Sequence, residues 1–170
     1  MSKILISGYY GFANAGDEAM LTAIIESLRQ VEKNVELTVL SGNPEDTAAK
    51  HQVCSVYRFN PLGIIQAMKD SELIISGGGS LLQDVTSKRS LLYYLSIIGL
   101  GKFFGKKVML FAQGIGPIRA KWARKLTSLV CNEADLITVR DSESAAELIE
   151  MGVKPEKITV TACLLYTSDA

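Results

Sequence analysis

Two arginines in the sequence are placed where they could hold an anionic ligand. Arg140 ends the apolar run at residues 136–139 and stands immediately before a predicted helix, so its guanidinium is expected at the carboxyl end of a strand. There the planar group can hold a carboxylate or a phosphate by two hydrogen bonds, or form a structural salt bridge with Asp141 or Glu143. Arg89 lies near another predicted helix start, where anionic ligands are favoured. Both arginines are predicted substrate-binding residues.

A run of three glycines follows another apolar segment. Gly77, Gly78 and Gly79 precede Ser80, and successive backbone N–H groups in such a run can turn toward one anion. The segment lacks the lysine of a nucleotide-binding P-loop. We therefore predict a cradle for a phosphate or a carboxylate at residues 77–80, with Gly78 open toward the ligand. A tight turn between a strand and a helix is the structural alternative.

The first glycine-containing segment, at residues 8–18, carries acids. Its glycines stand at positions 8, 11 and 16, which is not the G-x-G-x-x-G spacing of dinucleotide-binding proteins, and Asp17 followed by Glu18 would repel a pyrophosphate. Carboxylate and amide groups suit a hydroxyl-rich ligand, so Asp17, Asn14 and Gln83 are predicted to bind hydroxyl groups. A role of Asp17 as a helix N-cap is the structural alternative.

The elements that must position these residues follow from the hydrophobic pattern. Short runs of Ile, Val and Leu alternate with helical patterns, and runs that are apolar throughout are typical of strands buried on both faces of a parallel sheet. We predict a doubly wound, mostly parallel, Rossmann-like α/β sheet. The predicted strands are residues 4–6, 35–40, 53–56, 73–75, 108–111, 136–139 and 158–160. The predicted helices are residues 19–28, 89–100, 120–130 and a last helix that starts near a Ser144–Glu147 capping box and ends at Gly152.

Three glycine-containing segments follow predicted strands. They should therefore meet at the carboxyl edge of the sheet, where open α/β sheets bind ligands at the point at which the strand order reverses. The third segment, at residues 111–117, adds Gln113 as a predicted binding residue.

Composition excludes several classes of partner. The 170 residues carry 18 basic and 18 acidic side chains, and this zero formal charge argues against nucleic acid as a partner. Dispersed cysteines and a single histidine, His51, give no metal-ligand spacing, so no metal is predicted and His51 is interpreted as a surface residue. The longest nearly apolar stretch, residues 91–100, falls short of the roughly 20 residues that a membrane-spanning helix needs.

Four sequence blocks together resemble the polysaccharide pyruvyl transferase family, and more narrowly its CsaB-type cell-wall members. The blocks are GYYGFANAGDEA (8–19), SGGGSLLQDVTSKRSLLYYL (76–95), FAQGIGP (111–117) and ITVRDSES (137–144). Four blocks in the same order are more specific than any single glycine-rich loop.

The resemblance implies a reaction and its partners. It implies the N-terminal half of a two-domain, GT-B-like enzyme that transfers the enolpyruvyl group of phosphoenolpyruvate to a sugar as a 4,6-ketal, without a cofactor. For CsaB-type members the implied acceptor is an N-acetylmannosamine unit of a lipid-linked cell-wall precursor. The implied location is the cytoplasm, with peripheral contact at the inner membrane face. Among the family's phosphoenolpyruvate-binding residues only Arg140 can be carried over, and the catalytic histidine belongs to the other half.

The resemblance also sets the expected domain limits. Residues 1–162 match the N-terminal domain, residues 163–170 are expected to be a non-matching and artefactual tail, and the C-terminal domain is expected to be absent. Ala13 replaces a glycine common in the family, which predicts a loop less able to adopt positive φ. A GT-B-type nucleotide-sugar glycosyltransferase and a non-catalytic binding module are the alternatives.

Overall fold

The computed structural model describes residues 1–161, in which strands and helices alternate along the chain. The strands are β1 (Lys3–Ser7), β2 (Glu36–Ser41), β3 (Cys54–Tyr57), β4 (Leu73–Ser76), β5 (Gly79–Leu82), β6 (Lys107–Ile115), β7 (Leu136–Val139) and β8 (Ile158–Val160). The helices are α1 (Ala15–Val31), α2 (Pro44–His51), α3 (Pro61–Asp70), α4 (Lys88–Phe103), α5 (Lys121–Glu133) and α6 (Ser142–Met151). The predicted tail at residues 163–170 lies outside the described residues.

Every strand pairing within the described residues is parallel. The order across the sheet is β3-β2-β1-β4-β6-β7-β8, and β5 pairs with the end of β6. The order changes direction between β1 and β4, so the switch point of the sheet lies at the carboxyl ends of these two strands. The predicted doubly wound, Rossmann-like fold class is confirmed.

Helices cover both faces of the sheet. Side chains alternate along the central strands, so each face carries apolar side chains that a helix must bury. In β1, Ile4 and Ile6 belong to the same apolar cluster as Leu21 of α1, whereas Leu5 belongs to a second cluster with Met68 of α3 and Ile98 of α4. Burial on both faces explains why the strands are apolar throughout.

Helices α2 and α3 begin with a signal that the apolar pattern does not reveal. Asn43 and Asn60 are their N-caps, and the side chains accept hydrogen bonds from the backbone N–H groups of Asp46 and Gly63. A proline follows each asparagine in the first turn, where its missing N–H costs nothing. Both helices are short, and the sequence analysis does not predict them.

The glycine-containing segments are more regular than predicted. Gly79 and Ser80 lie in the additional strand β5, and Gly79 has φ +104. Strand β6 continues to Ile115, so Gly114 lies inside a strand and not in a loop after it. The third segment lies at the carboxyl end of its strand, as predicted, but β6 is longer than its apolar core and therefore includes Gly114.

The last helix, α6, has a different cap from the predicted one. Asp141 is the N-cap, and its Oδ1 accepts a hydrogen bond from the backbone N–H of Ser144 at 2.7 Å. Glu147 instead pairs with Arg124, whose Nη1 lies 2.6 Å from Oε1. The predicted capping box is wrong because the helix begins one turn earlier, while the predicted end at Gly152, with φ +105, is confirmed.

Candidate functional site

Two cavities open beside the end of β6 at the carboxyl edge of the sheet. The first, here called the switch-point cavity, has a volume of about 380 Å³ and is lined by Tyr9, Asp17, Ser80, Leu81, Gln83, Thr86, Ser90 and Tyr94. The second, here called the Arg140 cleft, has a volume of about 340 Å³ and is lined by Ile115, Gly116, Pro117, Arg140, Asp141, Glu143, Ser144 and Glu147. Of the predicted site residues, Asp17, Ser80 and Gln83 line the first cavity and Arg140 lines the second.

Asp17 is positioned by the start of α1. Asn14 is the N-cap of this helix, and its Oδ1 accepts hydrogen bonds from the N–H groups of Gly16 and Asp17 at 3.1 and 3.2 Å. The half-buried carboxylate of Asp17 lines the switch-point cavity, and burial, with a smaller contribution from Glu18, raises its pKa. The N-cap alternative for Asp17 is wrong, because Asn14 has that role and its side-chain oxygen is already engaged.

Ser80 and Gln83 add polar groups to the same cavity. Ser80 is exposed. The side-chain amide of Gln83 is held by Thr86: Nε2 of Gln83 donates to Oγ1 of Thr86 at 2.9 Å, and Oε1 of Gln83 accepts from the backbone N–H of Thr86 at 3.0 Å. Thr86 and Ser90 contribute further hydroxyl groups to the lining. A carboxylate surrounded by hydroxyl and amide groups is suited to a ligand with many hydroxyl groups.

The predicted anion cradle at the three-glycine run does not form. The N–H of Gly77 donates to the carbonyl of Ser7 at 2.7 Å, and Gly79 is part of β5. A Cβ atom on Gly8 or Gly77 would overlap Tyr10, whose side chain is fully buried. Gly8 and Gly77 are therefore needed to pack the tyrosine ring and hydroxyl, not to admit a ligand.

Gly78 faces the core. A Cβ atom there would lie 2.9 Å from Cγ of Met20, which is buried in α1. The expectation that Gly78 opens toward the ligand is wrong, because the space in front of it is occupied by this methionine.

We expect the substitution Gly78→Val to lower the free energy of unfolding by about 1–3 kcal/mol, because the added methyl groups overpack the contact with Met20. Urea denaturation measures the loss. Gly99→Ala is the control: Gly99 lies inside α4 with open space beside it, so alanine should raise stability by up to about 1 kcal/mol. Unchanged unfolding of Gly78→Val together with weakened substrate binding would show that position 78 faces the ligand.

Gln113 is a buried brace between strand ends. Its Nε2 donates to the carbonyl and hydroxyl oxygens of Ser76 at 3.1 and 3.2 Å and to the carbonyl of Gly77. Its backbone carbonyl accepts a hydrogen bond from the backbone N–H of Arg140 at 3.1 Å. The residue is 0% exposed. The predicted binding role of Gln113 is wrong, because its side chain does not reach either cavity.

Arg140 lies across the end of β6. A Cβ atom on Gly114 would lie 2.5 Å from its Cζ, so a side chain at position 114 would displace the guanidinium from this place. Nε donates to Oδ2 of Asp141 at 3.2 Å. Hydrogen bonds from Ser144, with a smaller contribution from Arg140, hold the pKa of Asp141 below its usual range. The salt bridge named as the alternative is therefore present, and it orients the guanidinium through Nε while the side chain stays 41% exposed in the cleft.

Arg89 does not line either cavity, although its neighbour Ser90 lines the switch-point cavity. It lies in the first turn of α4, whose N-cap is Ser87, and its side chain is exposed. The predicted helix start is confirmed, but the structure places the Arg89 side chain in neither lining.

Arg58 is the charged residue that the sequence analysis misses. It directly follows β3, is only 4% exposed, and lies within 6 Å of five aromatic ring centres, including those of Tyr9 and Tyr94 in the wall of the switch-point cavity. The only sequence signal for this arrangement is the concentration of Tyr and Phe near strand ends and in α4.

The loop between β1 and α1 is tied down by Glu18. Its Oε1 accepts from the N–H of Gly11 at 2.9 Å, and its Oε2 lies 3.4 Å from Nε2 of His51. The His51 side chain is 10% exposed, so the interpretation of His51 as a surface residue is wrong. Ala13 adopts φ +57, which corrects the expectation that its Cβ makes the loop less able to reach positive φ.

The fold is a Rossmann-like α/β domain with two polar cavities at the carboxyl edge of its parallel sheet. The sequence profile of one family, polysaccharide pyruvyl transferase, matches residues 14–169. The chain belongs to this family. No protein of curated function matches it.

Solved structures share the fold. Anabaena Alr3699/HepE in complex with UDP-glucose superposes with a TM-score of 0.65 at 16% sequence identity, over 95% of this chain and 44% of that one. UDP-GlcNAc 2-epimerase from Neisseria meningitidis bound to UDP-GlcNAc gives 0.55 at 14% identity, over 95% of this chain and 46% of that one. The lipopolysaccharide outer core galactosyltransferase WaaB superposes with a TM-score of 0.55 at 17% sequence identity, over 94% of this chain and 45% of that one. The chain spans less than half the length of these proteins, and the likeness is one of fold.

Two features are absent from the part of the chain that the structure describes. None of the helices in residues 1–161 is both long enough and apolar enough to cross a membrane. The same part of the chain contains no group of three His, Cys, Asp or Glu side chains arranged to hold a metal ion.

Proposed function

We propose that the protein transfers the pyruvyl group of phosphoenolpyruvate to a sugar unit of a polysaccharide precursor and forms a 4,6-ketal. The observation that carries this proposal, beside membership of the family, is the pair of cavities at one sheet edge. One cavity offers a carboxylate and hydroxyl groups, and the other offers an arginine. An acceptor with many hydroxyl groups and an anionic donor need these two kinds of site.

Arg140 is the proposed donor-binding residue. Its Nε is held by Asp141 at 3.2 Å, and this leaves the two Nη groups outside the pair. A guanidinium held in this way can bind a carboxylate or a phosphate with two parallel hydrogen bonds. Phosphoenolpyruvate carries both groups, and it serves as the donor substrate without a further cofactor.

Asp17 is the proposed base for the acceptor. In ketal formation the methylene carbon of the donor takes up a proton, one acceptor hydroxyl adds to the neighbouring carbon, phosphate leaves, and a second hydroxyl closes the ring. The two hydroxyl groups release two protons, one to balance the new methyl group and one to balance the departing phosphate. A half-buried carboxylate with a raised pKa accepts a proton more readily than an exposed one, and Asp17 lines the cavity beside Ser80.

A second candidate is transfer of a sugar from a nucleotide sugar. It is favoured by the shared fold, since Anabaena Alr3699/HepE was solved in complex with UDP-glucose. Mass spectrometry of an N-acetylmannosaminide acceptor separates the two reactions. The complete protein incubated with phosphoenolpyruvate should add a pyruvyl ketal to the acceptor, and incubation with UDP-glucose should leave it unchanged. An added hexose would overturn the pyruvyl transferase proposal, and no mass gain with either donor would favour a non-catalytic binding module.

The proposed acceptor is an N-acetylmannosamine unit of a lipid-linked precursor. The corresponding place of action is the cytoplasmic face of the membrane, reached by peripheral contact. Sedimentation of the complete protein with membrane vesicles, with and without the lipid-linked acceptor, tests this location.

A further inference from the structure

Arg58 is a buried charge without a counter-ion among residues 1–161. Its N–H donates to the carbonyl of Ser41 at 3.0 Å, which fixes the backbone at the end of β3. Within this range no carboxylate forms an ion pair with its guanidinium, and its buried Nε and Nη1 have no hydrogen-bond partner. Unpaired buried donors cost free energy, so arginines that serve only the fold are normally paired.

Aromatic rings hold the guanidinium in place. The ring centres lie 4.4 to 5.9 Å from Cζ and belong to Tyr9, Phe12, Phe59, Tyr93 and Tyr94. The faces of such rings attract a cation and keep water away. The hydroxyl of Tyr94 also accepts a long hydrogen bond from Nη2, at 3.5 Å. The rings therefore surround the guanidinium as a cage, and its Nε and Nη1 are left without hydrogen-bond partners.

The cage shares a wall with the switch-point cavity. Tyr9 and Tyr94 line the cavity and also contact Arg58. Tyr9 stacks on Phe12 with a distance of 4.4 Å between ring centres, and the two side chains are 42% and 41% exposed. Tyr9 is therefore the exposed side chain that a ligand in the cavity must displace to reach the guanidinium.

We propose that Arg58 binds a phosphate group carried by the sugar that occupies the switch-point cavity, so that this cavity takes a sugar phosphate or a sugar diphosphate. The inference rests on the proposed function in one respect, the use of this cavity for the sugar. Asp17 and the neighbouring hydroxyl groups bind the ring, and Asp17 would repel a phosphate placed against it. Arg58 lies behind Tyr9 and offers the phosphate a separate position.

The test compares the affinities of N-acetylmannosamine, its 1-phosphate, inorganic phosphate and phosphoenolpyruvate for the complete protein, measured by calorimetry. The wild type should bind the sugar phosphate about tenfold or more tightly than the neutral sugar, because hydrogen bonds to a charged group are strong. Arg58→Met should abolish this difference and leave the affinities for the neutral sugar and for phosphoenolpyruvate unchanged. Its melting temperature without ligand should be equal or higher, because an unpaired buried charge is removed.

Arg29→Met is the matched control, since Arg29 donates to the carbonyls of His51 and Gln52 at the other end of α1 and should not affect any of the four affinities. Equal affinity of the wild type for the sugar and its phosphate would overturn the proposal, as would a preference that survives in Arg58→Met. A fall in melting temperature without a change in affinity would make Arg58 a structural residue. Loss of phosphoenolpyruvate binding in Arg58→Met would show that Arg58 binds the donor and not the phosphate of the sugar. Failure of the wild type to bind phosphoenolpyruvate, with the phosphate preference intact, would refute the proposed donor and leave the role of Arg58 standing.

Discussion

Asp17→Asn in the complete protein is expected to lower kcat for pyruvyl transfer by about 10²–10⁴, the usual contribution of a positioned general base. The amide keeps the size of the side chain and still binds hydroxyl groups, so KM for the acceptor should change much less. Because burial raises the pKa of Asp17, wild-type kcat should fall as the pH drops through a value above that of an ordinary aspartate. This acidic limb should be missing from the profile of the variant.

Asp46→Asn is a closely matched control. Asp46 also lies in the first turn of a helix capped by asparagine, but its carboxylate pairs with Lys50 on α2, outside the lining of either cavity. The kcat of the Asp46→Asn variant should equal that of the wild type. An effect of Asp17→Asn confined to the acceptor KM would reduce Asp17 to a binding residue, and one confined to the melting temperature would make it structural.

Arg140→Lys is expected to raise KM for phosphoenolpyruvate by at least about tenfold, which corresponds to the roughly 1.5–3 kcal/mol of a lost charge-assisted hydrogen bond. Lysine keeps the charge but cannot form two parallel bonds, and Arg140→Ala should be worse because it also loses the charge. Affinity for the acceptor should stay the same in both variants. Steady-state kinetics with each substrate varied in turn measures both effects.

The salt bridge to Asp141 supplies the competing explanation for Arg140. This pair is about two-fifths exposed on each side, and exposed pairs contribute little to stability. Wild-type donor kinetics in Arg140→Lys, or damage seen only in the melting temperature, would therefore identify Arg140 as a structural residue and place the donor elsewhere.

The sequence predicts the fold well because strands covered on both faces must be apolar throughout, and this pattern survives without tertiary information. The apolar pattern does not predict β5, α2 or α3. Strand β5 begins at Gly79, whose positive φ cannot be read from the sequence, and the two helices are marked only by Asn-Pro pairs at their starts.

The candidate site shows a sharper limit of prediction. The role of a glycine depends on what occupies the space in front of it, and for Gly77 and Gly78 the occupants are Tyr10 and Met20, more than fifty residues away in the sequence. Arg58 is likewise buried by rings that include Tyr93, on α4. For Asp17 the structure shows a place in the cavity lining, and its binding of hydroxyl groups stays a prediction.

In the proposed reaction, strand β6 lies between the donor and the acceptor. Neighbouring strands lie about 4.8 Å apart, so β5 and β7, which flank β6, are separated by roughly 10 Å. A donor with a three-carbon skeleton is too short to occupy both cavities at once. The guanidinium of Arg140 lies over Gly114 on this strand. In the proposed reaction the carbon that is transferred is therefore attacked above the end of β6, and the missing side chain at position 114 keeps the two substrates within reach of each other.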